Sequence, residues 1–216
     1  MSDTDASDGA LRDQLELGLS GLQLSLDSRQ VDKLLAYLSL LQRWNRAYNL
    51  TAIDQPAEMV ARHLLDSLSI LPWLQGHEVL DAGTGAGLPG VPLAIARPEV
   101  HFRLVDSNGK KVRFLRQVRR ELDLPNIEPI QARLESLTLD PPPDLLTARA
   151  LAPLARLVEW HGRWLEQGAT LLAMKAQLAE SECVEVAAAY NVEIIDLEVP
   201  GIDGRRCLAV VSRKPE

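Results

Sequence analysis

Apolar residues recur every three or four positions between Ser28 and Tyr48, at Val31, Leu34, Leu35, Leu38, Leu41, Trp44 and Tyr48. That period predicts an amphipathic helix, opened by Asp27 or Ser28 as N-cap. A shorter helix is expected before it, around Leu11 to Leu19, and another after it from Pro56 to Ile70, stopping short of Pro72. At Gly76 the period changes. His77–Ala82 is a short apolar run ending in glycines. Further strand candidates follow at Phe102–Val105, Glu128–Ala132, Leu145–Ala148, Thr170–Met174, Val192–Val199 and Leu208–Ser212. Helices are expected at Pro89–Ala96, Gly109–Leu122, Leu151–Leu165 and Leu178–Tyr190. Strands alternating with helices predict an α/β fold around a mostly parallel, doubly wound sheet. The last two strands are joined by Pro200–Arg206, too short for a crossover helix, so an antiparallel hairpin should close the sheet. The expected division is a disordered start (1–9), a helical N-terminal extension (10–75) and an α/β domain (76–216).

Composition narrows this little further. The chain has 216 residues, 46% apolar and only 4% aromatic, which suits one domain with an extension. Cys183 and Cys207 stand apart without C-x-x-C spacing, which points to a reducing compartment and away from a zinc site. The acidic, polar start lacks the basic and apolar regions of a secretory signal, and no apolar run approaches membrane length, so a cytoplasmic protein is expected. The net charge of −7 argues against a polyanionic partner until its distribution is read. Residues 1–32 carry seven acids against two bases, whereas residues 97–120 carry eight bases against two acids. One local basic face on an acidic protein is compatible with binding a polyanion there.

The strongest motif is V-L-D-A-G-T-G-A-G-L-P-G, Val79 to Gly90, between a strand and a helix. Glycines there let the backbone turn sharply and approach a ligand. Two cofactors fit. As G-x-G-x-x-G, Gly85, Gly87 and Gly90 match a dinucleotide fingerprint, with Asp106 about 20 residues on. As D-x-G-x-G, Asp81, Gly83 and Gly85 match the loop that holds S-adenosylmethionine in Rossmann-like methyltransferases, and Asp106 would take the ribose hydroxyls. The acid at position 81, the closing hairpin and the lack of a Tyr-x-x-x-Lys pair favour the methyl donor over a nicotinamide oxidoreductase.

Four longer segments sharpen the match: W-N-R-A-Y-N-L-T-A (Trp44 to Ala52), R-H-L-L-D-S-L (Arg62 to Leu68), D-A-G-T-G-A-G-L-P-G-V-P-L (Asp81 to Leu93) and L-V-D-S-N-G-K-K-V-R-F-L (Leu104 to Leu115). In this order they resemble the bacterial small-subunit ribosomal RNA methyltransferase G family, also called glucose-inhibited division protein B. The resemblance implies a Rossmann-like class I methyltransferase with a seven-stranded sheet, S-adenosyl-L-methionine as cofactor, and methylation at N7 of a guanine in a loop of 16S ribosomal RNA. The partner would be that RNA or an assembling small subunit. The scattered histidines and the lack of a long apolar run add the expectation of no metal and no membrane, and a monomer is expected. The resemblance further implies a cofactor site of Asp81, Gly83, Gly85, Gly87, Leu88 and Asp106, with Leu134 and Glu135 flanking the adenine and Arg149 facing cofactor or substrate. The chain departs from the family pattern at Ala148, where a serine is usual, at Leu151, where an aromatic is common, and at Cys207, where a histidine is frequent.

Guanine N7 carries a free lone pair and no proton, so no general base is expected and no catalytic acid or base is named. Positioning is expected to carry the rate. Candidate substrate contacts are Lys110, Lys111 and Arg113 on the basic helix, then His63, Arg149, Lys175 and Arg206 near strand ends, where open α/β sheets bind ligands. Asn45 and Asn49 are expected to turn the chain, and Trp44 and Tyr48 to pack their helix. A non-catalytic RNA-binding protein of the same fold remains a third reading.

Overall fold

The computed structural model describes residues 3–214. The N-terminal part begins with α1 (Asp3–Gly21) and α2 (Ser28–Tyr48). The helix expected around Leu11 thus starts earlier, inside the segment expected to be disordered; Met1 and Ser2 lie outside the described residues. Once Leu15 and Leu19 are packed, each upstream residue extends the ladder at little further cost. Asp27 is the N-cap of α2 and forms a reciprocal capping box with Gln30, while Asn49 ends the helix in a left-handed conformation (φ 50°). The Gln30 side chain also donates to the carbonyls of Ile95 and Ala96, tying α2 to the next layer. The helix expected from Pro56 to Ile70 is three consecutive windings. An α-turn, α3 (Pro56–Met59), runs into a π-turn (Val60–Leu65) and then into α4 (Asp66–Leu68). Its inward side is packed throughout, with Val60, Leu64 and Leu68 fully buried.

The sheet has seven strands: β1 (Glu78–Ala82), β2 (His101–Asp106), β3 (Ile127–Gln131), β4 (Leu145–Arg149), β5 (Thr170–Lys175), β6 (Tyr190–Asp196) and β7 (Cys207–Arg213). Their order is β3-β2-β1-β4-β5-β7-β6. All pairs are parallel except those of β7, which runs antiparallel to β5 and β6. The closing hairpin is as expected, but β6 starts at Tyr190 and ends at Asp196. Leu197 and Val199, assigned to that strand from their hydropathy, are buried in the connection instead. The connecting helices are α5 (Gly90–Ala96), α6 (Gly109–Glu121), α7 (Leu154–Leu165) and α8 (Glu180–Ala187). The start of α7 lies three residues beyond its expected Leu151, because Pro153 in an extended conformation caps it.

Two apolar layers sandwich the sheet. Val79 packs with α2, α5 and α6, and Leu80 and Ala82 pack with α7, as the period-2 alternation of a strand requires. The α6 stripe of Val112, Leu115, Val118 and Leu122 is buried, leaving Lys110, Arg113, Arg116, Arg119 and Arg120 in solvent. Among the described residues, no helix is long and apolar enough to cross a membrane.

Candidate active site

The sheet order reverses between β1 and β4, and the crevice at such a point is where open α/β sheets take ligands. Here β1 runs into the glycine loop. Gly83 has φ 63°, and a Cβ on it would run into the Leu151 side chain, so only glycine keeps both the turn and the neighbour. Gly87 (φ 96°) is constrained differently, since its Cβ would press into Val91 and Leu115.

Asp81 holds this loop from behind. Its Oδ2 accepts from the Thr84 hydroxyl at 2.5 Å and from Gly90 N at 2.9 Å, and its Oδ1 from the Thr147 hydroxyl at 3.1 Å. Burial pushes the Asp81 carboxyl up to about 6, opposed by those bonds and by Arg149. Asp81 is therefore a brace under the loop and does not line the cleft. Gly85, Gly87 and Leu88 are also outside the lining; Leu88 is buried in the core.

A cleft of about 320 Å³ opens beyond the loop, walled by Gly83, Asp106, Lys111, Leu134, Glu135, Leu151 and Trp160. Asp106, at the end of β2, accepts Gly85 N at 3.0 Å on Oδ2 and Asn108 N at 2.8 Å on Oδ1. Lys111 Nζ lies 3.3 Å from Oδ2. Sequence reasoning assigned Lys111 to the substrate. Its position on the first turn of α6 points it into this cleft, while Lys110 and Arg113 on the same turns stay exposed. A carboxylate at the rim, a glycine floor and the apolar walls Leu134 and Leu151 suit a ribose hydroxyl pair and a flat purine. These residues fit S-adenosylmethionine.

A second cavity of about 220 Å³ lies on the other side of the β4 end: Leu151 lines the cleft, whereas Arg149 and Ala150 line this cavity. It gathers four of the expected substrate residues, His63, Arg149, Lys175 and Arg206. The antiparallel register places Lys175 opposite Cys207, which brings Arg206 to the same rim. Arg149 belongs to this cavity rather than to the cofactor cleft, because its Nη1 donates to Asp66 Oδ2 and to Arg62 O, both at 2.9 Å. Arg206 Nε donates to Asp66 Oδ1 at 3.3 Å. Lys175 Nζ donates to Ala152 O at 2.7 Å and to Glu182 Oε2 at 3.3 Å. His63 Nε2 is 2.9 Å from the Thr51 hydroxyl, and burial, reinforced by Arg149, holds its pKa down at about 4, so the ring is neutral at pH 7. Asp66, the hub of the cavity, was missed as a site residue although it lies inside the R-H-L-L-D-S-L segment. Thr84 and Thr147, which bind Asp81, carried no signal of their own in the sequence.

The strand order, the antiparallel β7 and the glycine loop over an acidic β2 end define the class. Similar solved structures include magnesium protoporphyrin IX methyltransferase from Synechocystis PCC 6803 with bound SAM (TM-score 0.57, 17% identity, covering 87% of this chain and 98% of that one). Another is an rRNA methylase from Streptococcus thermophilus (TM-score 0.51, 17% identity, 69% and 95% coverage). The chain has the fold of the class I S-adenosylmethionine-dependent methyltransferases. Residues 30–209 match the rRNA small subunit methyltransferase G (GidB) family. The ribosomal RNA small subunit methyltransferase G of Escherichia coli (strain K12 / DH10B) is 48% identical over 201 residues, covering 92% of this chain and 97% of that one. The protein of the same name from Shigella boydii serotype 18 matches to the same extent. The chain belongs to the rRNA small subunit methyltransferase G family, which sets aside the nicotinamide oxidoreductase reading.

Proposed function

We propose that this protein transfers the methyl group of S-adenosylmethionine to N7 of a guanine in 16S ribosomal RNA, in the bacterial cytoplasm and as a monomer. The observation that carries the reading is the adjacency of two unlike cavities at the end of β4. One has a carboxylate and apolar walls suited to the cofactor, and the other is cationic and suited to RNA. The cofactor supplies an electrophilic methyl on a sulfonium sulfur. The chain's own part is to hold the two reactants in line: Asp106 orients the ribose, Gly83 and Leu151 set the depth of the cofactor, and the rim arginines set the strand. Positioning of this kind is worth up to about 7–11 kcal/mol of barrier. The N7 lone pair needs no base to attack, which accords with a site whose histidine, His63, is held down at about 4 and is too weak a base to take up a proton at pH 7. The exposed face of α6, with Lys110, Arg113 and Arg116, supplies phosphate contacts that fix position without reading sequence.

The test is mass mapping of methylated guanines in small-subunit RNA from cells with and without this protein. It is paired with transfer of labelled methyl to unmethylated 16S RNA, naked and within small subunits. Loss of one methylguanine in the deletion strain, restored by the purified protein, is the expected result. An unchanged methylation map would sink the reading.

A further inference from the structure

The second cavity carries more positive charge than methyl transfer to N7 can use. Arg62, Arg149, Lys175 and Arg206 line it; Glu58 and Glu182 pair with Arg62 and Lys175, and Asp66 alone answers both Arg149 and Arg206. A purine alkylated at N7 becomes cationic as the bond forms, so a base seated among these side chains would be opposed by their field. An anion seated there is favoured instead.

The donors are also arranged for one. Asp66 takes Arg149 on one oxygen and Arg206 on the other, which fixes both guanidinium planes. That leaves Nε and Nη2 of Arg149 and Nη2 of Arg206 without a partner among the described residues. Lys175 spends two of its three protons on Ala152 O and Glu182. His63 stands in the same wall, 4% exposed, with Nδ1 unpartnered. The Arg149 and Arg206 side chains are only 18% and 23% exposed, so their charges are less screened by water than those on the open face of α6.

The geometry points to a phosphate pocket: Arg149, Arg206 and Lys175 bind a phosphate group of the RNA strand next to the target guanine, with His63 completing the wall. This rests on the RNA methyltransferase reading for the source of the phosphate, since free phosphate offers the same chemistry. The base itself is then held outside the cationic cavity, towards the cofactor cleft.

Calorimetric titration of the full chain loaded with S-adenosylhomocysteine, at fixed ionic strength, tests this with guanosine, guanosine 5′-monophosphate and inorganic phosphate. Charge-assisted hydrogen bonds should make the monophosphate bind roughly ten- to a hundred-fold more tightly than guanosine. Arg206→Gln and Lys175→Met should each remove most of that preference and leave S-adenosylhomocysteine affinity unchanged. Both substitutions leave the neighbouring carboxylate a partner, so one serves if the other fails to fold. Equal binding of nucleoside and nucleotide, or a preference surviving both substitutions, overturns the pocket. Inorganic phosphate binding as tightly as the nucleotide assigns the site to the free ion and overturns its RNA role. If the nucleotide binds as expected but wild-type protein transfers no methyl to 16S RNA, the pocket stands and the methyltransferase reading fails; methyl transfer without any phosphate preference gives the reverse.

Discussion

Asp81 and Gly83 stand two residues apart and shape the same glycine loop in different ways. Asp81 is sealed beneath the glycine loop, and its folded pKa of about 6 lies above its ordinary value of 3.8. A carboxyl raised on folding contributes stability that is fully present below pH 4 and is lost as pH rises through about 6. Asp81→Asn keeps the shape and one acceptor oxygen but cannot ionise. Relative to the variant, the wild type should therefore lose stability between pH 4 and 6, by roughly 3 kcal/mol in all. Urea unfolding of both proteins at several pH values checks this, and a constant difference would refute it. Gly83→Ala places a side chain at φ 63° and against Leu151. Holding alanine in that region costs about 1–2 kcal/mol, so S-adenosylhomocysteine should bind roughly tenfold more weakly by calorimetry, with the melting temperature reduced. The acid and the glycines were visible in the sequence as a motif. That the acid faces inward was not, because this depends on how the loop folds back to bring Thr84 and Gly90 onto it and on Thr147, 66 residues away on the neighbouring strand.

The N-terminal helices connect to the chemistry through α2. Tyr37 is fully buried, and its hydroxyl donates to Ala86 O, within the glycine loop, at 2.8 Å. Its ring also approaches Phe114 of α6 at 6.4 Å, so a single side chain joins the extension, the loop and the basic helix. Tyr37→Phe deletes the hydroxyl and leaves Ala86 O without that bond. Stability should fall by about 1 kcal/mol, and S-adenosylmethionine affinity several-fold, with the KM for RNA unchanged. A rise in RNA KM alone would mean that α2 does not act through the loop. The helical period of α2 was plain from its leucines, and its Asp27 cap likewise. Tyr37 was outside the predicted stripe because that stripe faces one neighbour, whereas α2 is wrapped by two layers and buries a wider arc. The π-turn over Val60–Leu65 was equally hidden, since its spacing still reads as helical.

Across the whole molecule, charge is segregated as the sequence foretold. The acidic first segment folds into α1 and the start of α2, and the basic segment becomes the open face of α6. The far end of α6 is tied down by the Arg43–Glu121 ion pair and by Lys33 on Asp123 O, whereas Lys110, Arg113 and Arg116 nearer its start stay exposed. Arg113→Glu with Arg116→Glu should raise the KM for RNA and flatten the dependence of binding on salt by about one logarithmic unit per lost phosphate contact, leaving cofactor affinity intact. An unchanged salt slope would place the RNA on another face. What the sequence determined by itself was local: helix and strand periods, the cap, the glycine turn and the hairpin set by a short connection, because each is written in residues within a few positions of one another. The tertiary structure alone decided the place and partners of individual charges. It sent Lys111 to the cofactor cleft and Arg149 to the second cavity, and it made Asp66 the common partner of arginines 83 and 140 residues away. Such pairings depend on strand order and register across the sheet, which no stretch of neighbouring residues encodes.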